Sequence, residues 1–465
     1  MSHTFNDSYS GENLNYTAFP MGGLGAGMIC LDGTGTFSHM SLHHKPQIFH
    51  EPYMYAAISV KCGGDRIARL LAGPTPDWKI FFPWGTGFDS AGNGGHFNKI
   101  YGLPRFRHAS FRSRFPFGEV CLEDKAVPLS TVISGWSPFL PGQADESSLP
   151  VAGVEYAFSN PTGQCIEFIF SFHSKNHFLQ RESPGLHVRG VEKGFVFSQP
   201  GNSARPQDQA DFCVECSHPD TKVNAAWFRG GWSDAQTAAW RSVEKGEVIE
   251  AQAHPQDASG SGASLYVPVA LAPGQSVKIV IRMSWYVPFS DVYFGGQHSC
   301  CDGAKCDPNP EDFHQPWYAG HFSGIEEIRR YWRHQYDRLR LESEKFSQAL
   351  HDTDMPPEMI EAVSANLSIL KSPTMLRQKD GRIWAYEGCS DTTGCCEGSC
   401  THVWNYAQAV AHLFPALERT MRETEFGPSQ SDSGHQTFRA ALPIGPQEGF
   451  WAGVDAAPMG SSAES

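Results

Sequence analysis

The hydrophobic period of this chain changes once, near residue 320, and that change constrains the fold more than any single motif. Before it, short apolar runs alternate with a period of two. "QCIEFIFSFHS" puts Ile166, Phe168 and Phe170 on one side, and "SLYVPVALAPGQSVKIVIRMSWYVP" reads as two strands about an APGQ turn, with Val277, Ile279 and Ile281 sharing a face. Such runs recur between Gly, Pro, Asn and Asp and show no fixed-period repeat, which predicts a large antiparallel sandwich.

After residue 320 the spacing becomes three or four. "FSGIEEIRRYWRHQYDRLRLESEKFSQALHD" opens on a capping box, Ser323 with Glu326, and places Ile325, Ile328, Trp332, Tyr336 and Leu339 on one helical face. A second helix is expected from Pro357 to about Lys371, with Ile360, Val363, Leu367 and Leu370 inward and Pro373 ending it. Val403, Ala407, Val410, Phe414, Leu417 and Met421 form a third stripe. Pro415 should kink or split it, because its ring clashes with the carbonyl one turn back. Residues 289–316 read as a linker or long loop. The expectation is a β plus α multidomain chain, with an antiparallel β-sandwich over residues 1–315 and the start of an all-α domain over 316–465. Three helices do not close a helical toroid, so the helical part reads as unfinished.

With 465 residues the chain is too long for one ordinary core, consistent with that division. The net charge of −14 argues against nucleic acid, whose phosphates need a basic stripe, and against anionic membrane surfaces. "MSHTFNDSYSGENLNYTAF" lacks the basic and apolar regions of a secretory signal, and no apolar run approaches the roughly 18–20 residues of a membrane span. A soluble, cytoplasmic protein is expected. In such a reducing compartment the 13 cysteines point to free thiols or a metal site rather than a disulfide framework.

Four stretches invite chemistry. "FPMGGLGAGMICLDGTG" is not a dinucleotide fingerprint: Gly23, Gly25 and Gly27 give G-x-G-x-G without the third spacing, and no strand–helix context is evident. Its glycines suit close backbone packing instead. Cys213 and Cys216 lie in a strand-like run that sends them to opposite faces, which disfavours a shared metal. Cys300, Cys301 and Cys306, with His298 nearby, make the more credible metal cluster. The stretch Ile383 to Gln408, "IWAYEGCSDTTGCCEGSCTHVWNYAQ", carries Cys389, Cys395, Cys396 and Cys400. Its C-x-x-x-C lies within the zinc range, but no second well-spaced pair follows, so buried thiols are the reading and no metal or cofactor is assigned. In the same stretch Glu387 follows the aromatic run "RIWAY". A carboxylate in that company either pairs with a buried Arg or serves as an active-site acid, and glycoside hydrolysis needs carboxylates because its transition state carries positive charge at the anomeric carbon.

The segment "IWAYEGCSDTTGCCEGSCTHVWNYAQAVAHLFPALERTMRETEF" resembles the catalytic domain of glycoside hydrolase family 116, the non-lysosomal glucosylceramidase-like β-glycosidases. "FPMGGLGAGMICLDGTG", "DWKIFFPWG", "GWSPFLPGQADESSLPVAGVEYAFSN" and "LAPGQSVKIVIRMSWYVP" resemble that family's β domain, in the family's order. The resemblance implies an N-terminal β-sandwich packed on a C-terminal (α/α)6 barrel, here incomplete, with the glycine-rich loop near the domain interface. It also implies retaining hydrolysis of a β-linked glucoside. Glu387 matches the nucleophile. "THVWNY" matches a segment that contacts a sugar hydroxyl, with His402 where several members have Asp; Thr401 and Trp384 join it as candidate substrate contacts. The family's acid/base is an Asp far downstream, and the tail departs from the family near Asp455 before any matching segment. The chain is therefore expected to hydrolyse weakly or not at all alone, as a fragment, a truncated gene product, or half of a split enzyme whose missing barrel half a partner chain would supply. Asp391 and Glu397 are the nearby substitute acids. Two alternatives stand beside this: a non-catalytic carbohydrate- or partner-binding remnant, and a cysteine-rich metal-binding protein.

Overall fold

The fold was analysed in a computed structural model, which describes residues 4–48, 50–80, 100–178, 187–230, 232–253, 260–294, 313–390, 393–400, 403–434, 436–437 and 439–445. Two antiparallel sheets dominate. The larger has nine strands in the order Tyr9–Ser10, His108–Arg114, Phe117–Glu123, Ser130–Trp136, Val151–Ser159, Ser276–Tyr286, Ala210–Cys216, Gly194–Gln199 and His187–Val191. The second has five: Lys222–Asn224, Gly262–Leu271, Ile166–Lys175, Met54–Cys62 and Asp65–Leu70. They face each other through the alternating side chains expected from the period of two. Phe170 meets Tyr156 with ring centroids 5.0 Å apart, and Phe168 meets Phe158 at 5.0 Å. Ile279 and Ile281 are fully buried in this layer.

The other face of the nine-stranded sheet is covered by the helix Ile325–His351. Ile325, Ile328, Trp332, Tyr336 and Leu339 are buried as a stripe, and the stripe continues as Ser343 and Ser347. Those serines hydrogen-bond backbone groups outside the helix: the Phe139 amide donates to Ser343 Oγ (3.1 Å) and Ser347 Oγ donates to the Arg114 carbonyl (2.8 Å). The expected cap is shifted by one residue. Ser323 donates to Glu327 through its backbone amide (2.9 Å) and its hydroxyl (3.0 Å), while Glu326 pairs with Arg189 and Arg329.

Helix Pro357–Ile369 follows, burying Ile360 and Leu367; Leu370, just past its end, is also buried. Val363, expected on the same face, is 46% exposed and borders an apolar groove with Phe346, Leu350 and Leu413. Pro415 splits the last stripe into helices Trp404–Leu413 and Pro415–Glu425, and stands at the first turn of the second, where its missing N–H costs nothing. Phe139 joins the layers: its ring meets Phe115 (4.8 Å), Phe346 (5.3 Å) and Phe414 (5.2 Å). Of the expected linker, Val292 and Phe294 pack against the C-terminal segment instead, and Phe294 bridges to Leu442. Cys300, Cys301, Cys306 and His298 lie outside the described residues. Cys213 and Cys216 are both buried, on opposite faces of their strand. No described helix is long and apolar enough to cross a membrane.

Lys371 ends the second helical segment fully enclosed, its ammonium donating to the Ser137 carbonyl (3.0 Å) above the Phe115 ring. Burial pushes its pKa down from 10.5 to about 7. The unfolded chain therefore binds more protons between these values, so this group's penalty on folding shrinks as pH rises through the window and is constant below it. Lys371→Met should be the more stable protein at pH 7. The wild type should recover relative to it by up to about 1.4 kcal/mol per pH unit towards pH 10, measured as paired urea midpoints. A pH-independent difference between the two would contradict this.

Candidate active site

A three-stranded sheet of Met375–Arg377, Ile383–Cys389 and Gly394–Glu397 carries the site, with Ile383–Cys389 in the centre. Alternation along this strand divides its side chains. Ile383 and Ala385 join the main core, whereas Trp384 and Tyr386 turn to a second cluster with Leu376, Val292, Leu442 and Ile444. Glu387 continues the Ile383–Ala385 side at the point where burial ends, and its side chain is 24% exposed.

The first strand of this sheet is held from below by the glycine-rich loop. That loop joins two strands, Ala18–Met21 and Met28–Asp32, so a strand does precede it, although no helix follows. Gly25 has φ +67°, and a Cβ there would lie 2.2 Å from the Arg377 amide nitrogen. Gly22 exchanges hydrogen bonds with Ser137 Oγ (2.8 and 2.9 Å), and Trp285 Nε1 donates to the Ala26 carbonyl (2.6 Å). Arg377 in turn bonds Asp145 (2.7 Å), Ser148 (3.1 Å) and the Ala144 carbonyl (3.2 Å). The loop thus locks the edge of the Glu387 sheet to the large sandwich.

Above the sheet, the chain doubles back. Ser399 pairs with Ala385, its amide donating to the Ala385 carbonyl (2.8 Å) and its hydroxyl accepting from the Ala385 amide (3.0 Å). Gly398, at φ +106°, lets Arg439 approach, since a Cβ there would sit 2.4 Å from the Arg439 Cβ. Arg439 then reaches Glu387 (Nη2 to Oε1, 3.5 Å) and donates to the Glu397 carbonyl through Nη1 (2.5 Å). Cys400 hydrogen-bonds Glu387; burial first, then that bond, pushes its thiol up to about 12. At neutral pH it is a protonated donor to the carboxylate. Tyr406 closes this side, its hydroxyl donating to the Cys400 carbonyl.

The structure brings together Glu387, Arg439, Cys400 and Tyr406. Of these the sequence reading named Glu387 as the candidate and Cys400 as scaffold, and missed Arg439 and Tyr406. Tyr406 was visible in "THVWNYAQ", six residues past Cys400; Arg439 carried no local signal. Trp384 is corrected: it is fully buried, stacked on Phe294 (5.5 Å), and its indole N–H donates to the Ala440 carbonyl (3.1 Å). Its surface is wholly enclosed and its only donor is used in packing, so it forms the floor of the sheet and is closed to a sugar. Thr401, His402 and Asp391 lie outside the described residues. Glu397 pairs across from Tyr386, one register place from Glu387, and belongs to the opposite face of the hairpin. Among the described residues no group of three metal-binding side chains converges. Burial also pushes Cys389 up to about 11, away from the thiolate that zinc requires.

A family model described as beta-glucosidase 2, glycosyl-hydrolase family 116 N-term, matches residues 18–339, ending before Glu387. No curated protein matches the chain. Similar solved structures include a bacterial glucoamylase complexed with acarbose, at 7% identity and TM-score 0.41, covering 92% of this chain and 50% of that one. Another is the family GH92 inverting mannosidase of Bacteroides thetaiotaomicron, at 9% identity and TM-score 0.31, covering 81% of this chain and 40% of that one. The chain thus spans half or less of the length of either.

Gly25→Ala should destabilise the protein by about 2 kcal/mol or more, because the methyl group meets backbone that has nowhere to go. Gly63→Ala is the matched control: its φ is +62° and nothing lies within 4 Å of the added methyl. It should lose only about 1 kcal/mol, the left-handed backbone term alone. Equal losses in urea denaturation would show that the approach to Arg377 contributes nothing.

Proposed function

The chain belongs to glycosyl-hydrolase family 116, and on that premise we propose that it is a retaining β-glycosidase-like protein with Glu387 as its nucleophile. The substrates proposed are β-glucosides, including glucosylceramide-type ones. The observation that supports this is the setting of Glu387: a partly exposed carboxylate at the end of a buried aromatic strand, held by Arg439 and by the protonated Cys400 thiol. Both contacts orient a carboxylate oxygen without burying it, which suits attack on an anomeric carbon.

In this reading a Glu387 oxygen attacks that carbon as the aglycone leaves, forming a glycosyl ester that water then hydrolyses. The leaving oxygen needs a proton from a second carboxyl about 5–5.5 Å away. Glu397 faces away from Glu387 across the hairpin and is a poor source. We take the helices after residue 315 as the opening of an (α/α)6 barrel and assign the acid/base to the rest of such a barrel. The apolar groove between helices Ile325–His351, Pro357–Ile369 and Trp404–Leu413, about 400 Å³ and lined by Phe346, Leu350, Val363 and Leu413, fits a face that further helices would cover. Thr401 and His402, which follow Cys400 directly, are proposed as substrate contacts.

An activated aryl β-glucoside with fluorine at C2 separates the nucleophile from the acid/base, because its leaving group needs no protonation. The expected outcome is one glycosyl adduct on the peptide carrying Glu387 and none on Glu387→Gln. Turnover of ordinary glucosides should be about 10²–10⁴-fold lower than in an enzyme with its acid/base in place. Folded protein that binds glucosides but takes no adduct would overturn the assignment in favour of carbohydrate binding without catalysis.

A further inference from the structure

Cys395 and Cys396 have no part in the mechanism above, yet they are placed in an unusual way. They are adjacent in the strand Gly394–Glu397, where neighbouring side chains ordinarily point to opposite faces. Here Cys396 has φ +53°, in the left-handed region, and the turn brings the two sulfurs together at 3.3 Å. A disulfide bond measures about 2.05 Å, so the thiols stand about 1 Å short of bonding distance. Cys395 is exposed and Cys396 half-buried, so the pair is open to small reagents.

The pair also sits on the candidate site. Cys395 pairs with Gly388 and Glu397 with Tyr386, which places Cys396 directly across from Glu387. Cys396 hydrogen-bonds Arg439, the same side chain that reaches Glu387.

We propose that Cys395 and Cys396 form a reversible thiol-modification site, a dithiol that low-molecular-weight disulfides close into a vicinal disulfide beside Glu387. In the first exchange the Cys395 thiolate attacks one sulfur of the reagent RSSR, forming the mixed disulfide and releasing RS⁻, which is protonated. Cys396 then loses its proton to solvent and attacks the Cys395 sulfur, releasing the second RS⁻. Two protein thiols lose two electrons and two protons, and one RSSR becomes two RSH.

Geometry selects both the order of attack and the lability of the product. The hydrogen bond that Cys396 donates to Cys395, then burial and the charge of Glu387, hold the Cys396 thiol above its usual range, so the exposed Cys395 enters first. Cys389 and Cys400 are pushed up to about 11 and 12 respectively by burial and compete poorly. Adjacent Cα atoms are about 3.8 Å apart across a trans peptide, below the roughly 4.4–6.8 Å of ordinary disulfides, so the closed form is strained and readily reduced. Closing it must bend the peptide between the two residues, and that backbone is paired with the Glu387 strand.

The modification itself is independent of what Glu387 does; its effect on Glu387 rests on the proposed function, and two readouts keep them apart. The full chain is equilibrated with glutathione buffers of rising oxidised fraction and mapped by differential alkylation and intact mass. The expected result is a loss of about 2 Da, two hydrogens, located to Cys395 and Cys396, reversed by dithiothreitol and absent from Cys395→Ser. Independent alkylation of both thiols across the whole titration, or a bond to Cys389 or Cys400 instead, would overturn the proposal. In the second readout, oxidation should slow fluoroglucoside labelling of Glu387 about tenfold or more, as expected for a displacement near 1 Å. Cys395→Ser should label equally with and without oxidant. An unchanged labelling rate in the mapped disulfide form would refute the coupling to Glu387. A reduced chain that takes no label tells against Glu387 as nucleophile and leaves the mass titration to decide the thiol pair.

Discussion

Two carboxylates buried on the outer face of the large sheet set the position of almost everything that follows them. Glu155 accepts from Arg340 (2.7 Å), Tyr336 (2.9 Å) and Lys278 (3.2 Å), and Glu215 from Arg329 (2.9 Å) and Arg333. Burial alone would raise the Glu155 carboxyl; the hydrogen bond and charge of Arg340, with Lys278 and Tyr336, instead hold it below the usual carboxylate range. Apart from Lys278, which lies on the sheet itself, their partners stand at 329, 333, 336 and 340 on one helix, the same spacing as the apolar stripe. Leaving either carboxylate without its cations typically costs about 3–5 kcal/mol, so the helix has one axial register on the sheet.

That register propagates. With the helix fixed, Ser343 and Ser347 meet Phe139 and Arg114, Phe346 meets the Phe139 ring, and the following helices build on this corner. From the opposite side the Gly22–Gly27 loop presses its backbone against Arg377. The Glu387 strand is therefore placed by two independent supports, a helix clamped by buried charge and a loop that admits only glycine at position 25. Both act on backbone, so the carboxylate itself stays partly open while its position is determined.

Much of this was legible in the residues, for identifiable reasons. The Phe168–Phe170 alternation and the Ile325–Leu339 stripe were readable because one-sided burial imposes the period of the element on the sequence. The break at Pro415 was readable because proline's missing N–H is a local property. The cap was misplaced by one residue because Ser323 is followed by Gly324, whose backbone (φ +159°) starts the helix a residue late. A stripe gives the direction of a face but not where its cover ends, and Val363 borders an open apolar groove. Trp384 stands an odd number of places from Glu387 on one strand, so the two point to opposite faces, and Trp384 points into a core that Phe294 and Ala440 complete.

The sequence by itself determined the two periodic regimes, the candidate carboxylate at Glu387 and, through motif resemblance, the family. All are carried by residue type and short-range spacing. Only the tertiary structure decided which groups meet that carboxylate. Arg439 reaches it from a separate segment, Tyr406 braces Cys400 beside it, and Cys395 and Cys396 face one another because a single left-handed residue rotates one of them. Such contacts depend on how the chain folds back on itself, and no local pattern in the residues encodes that return.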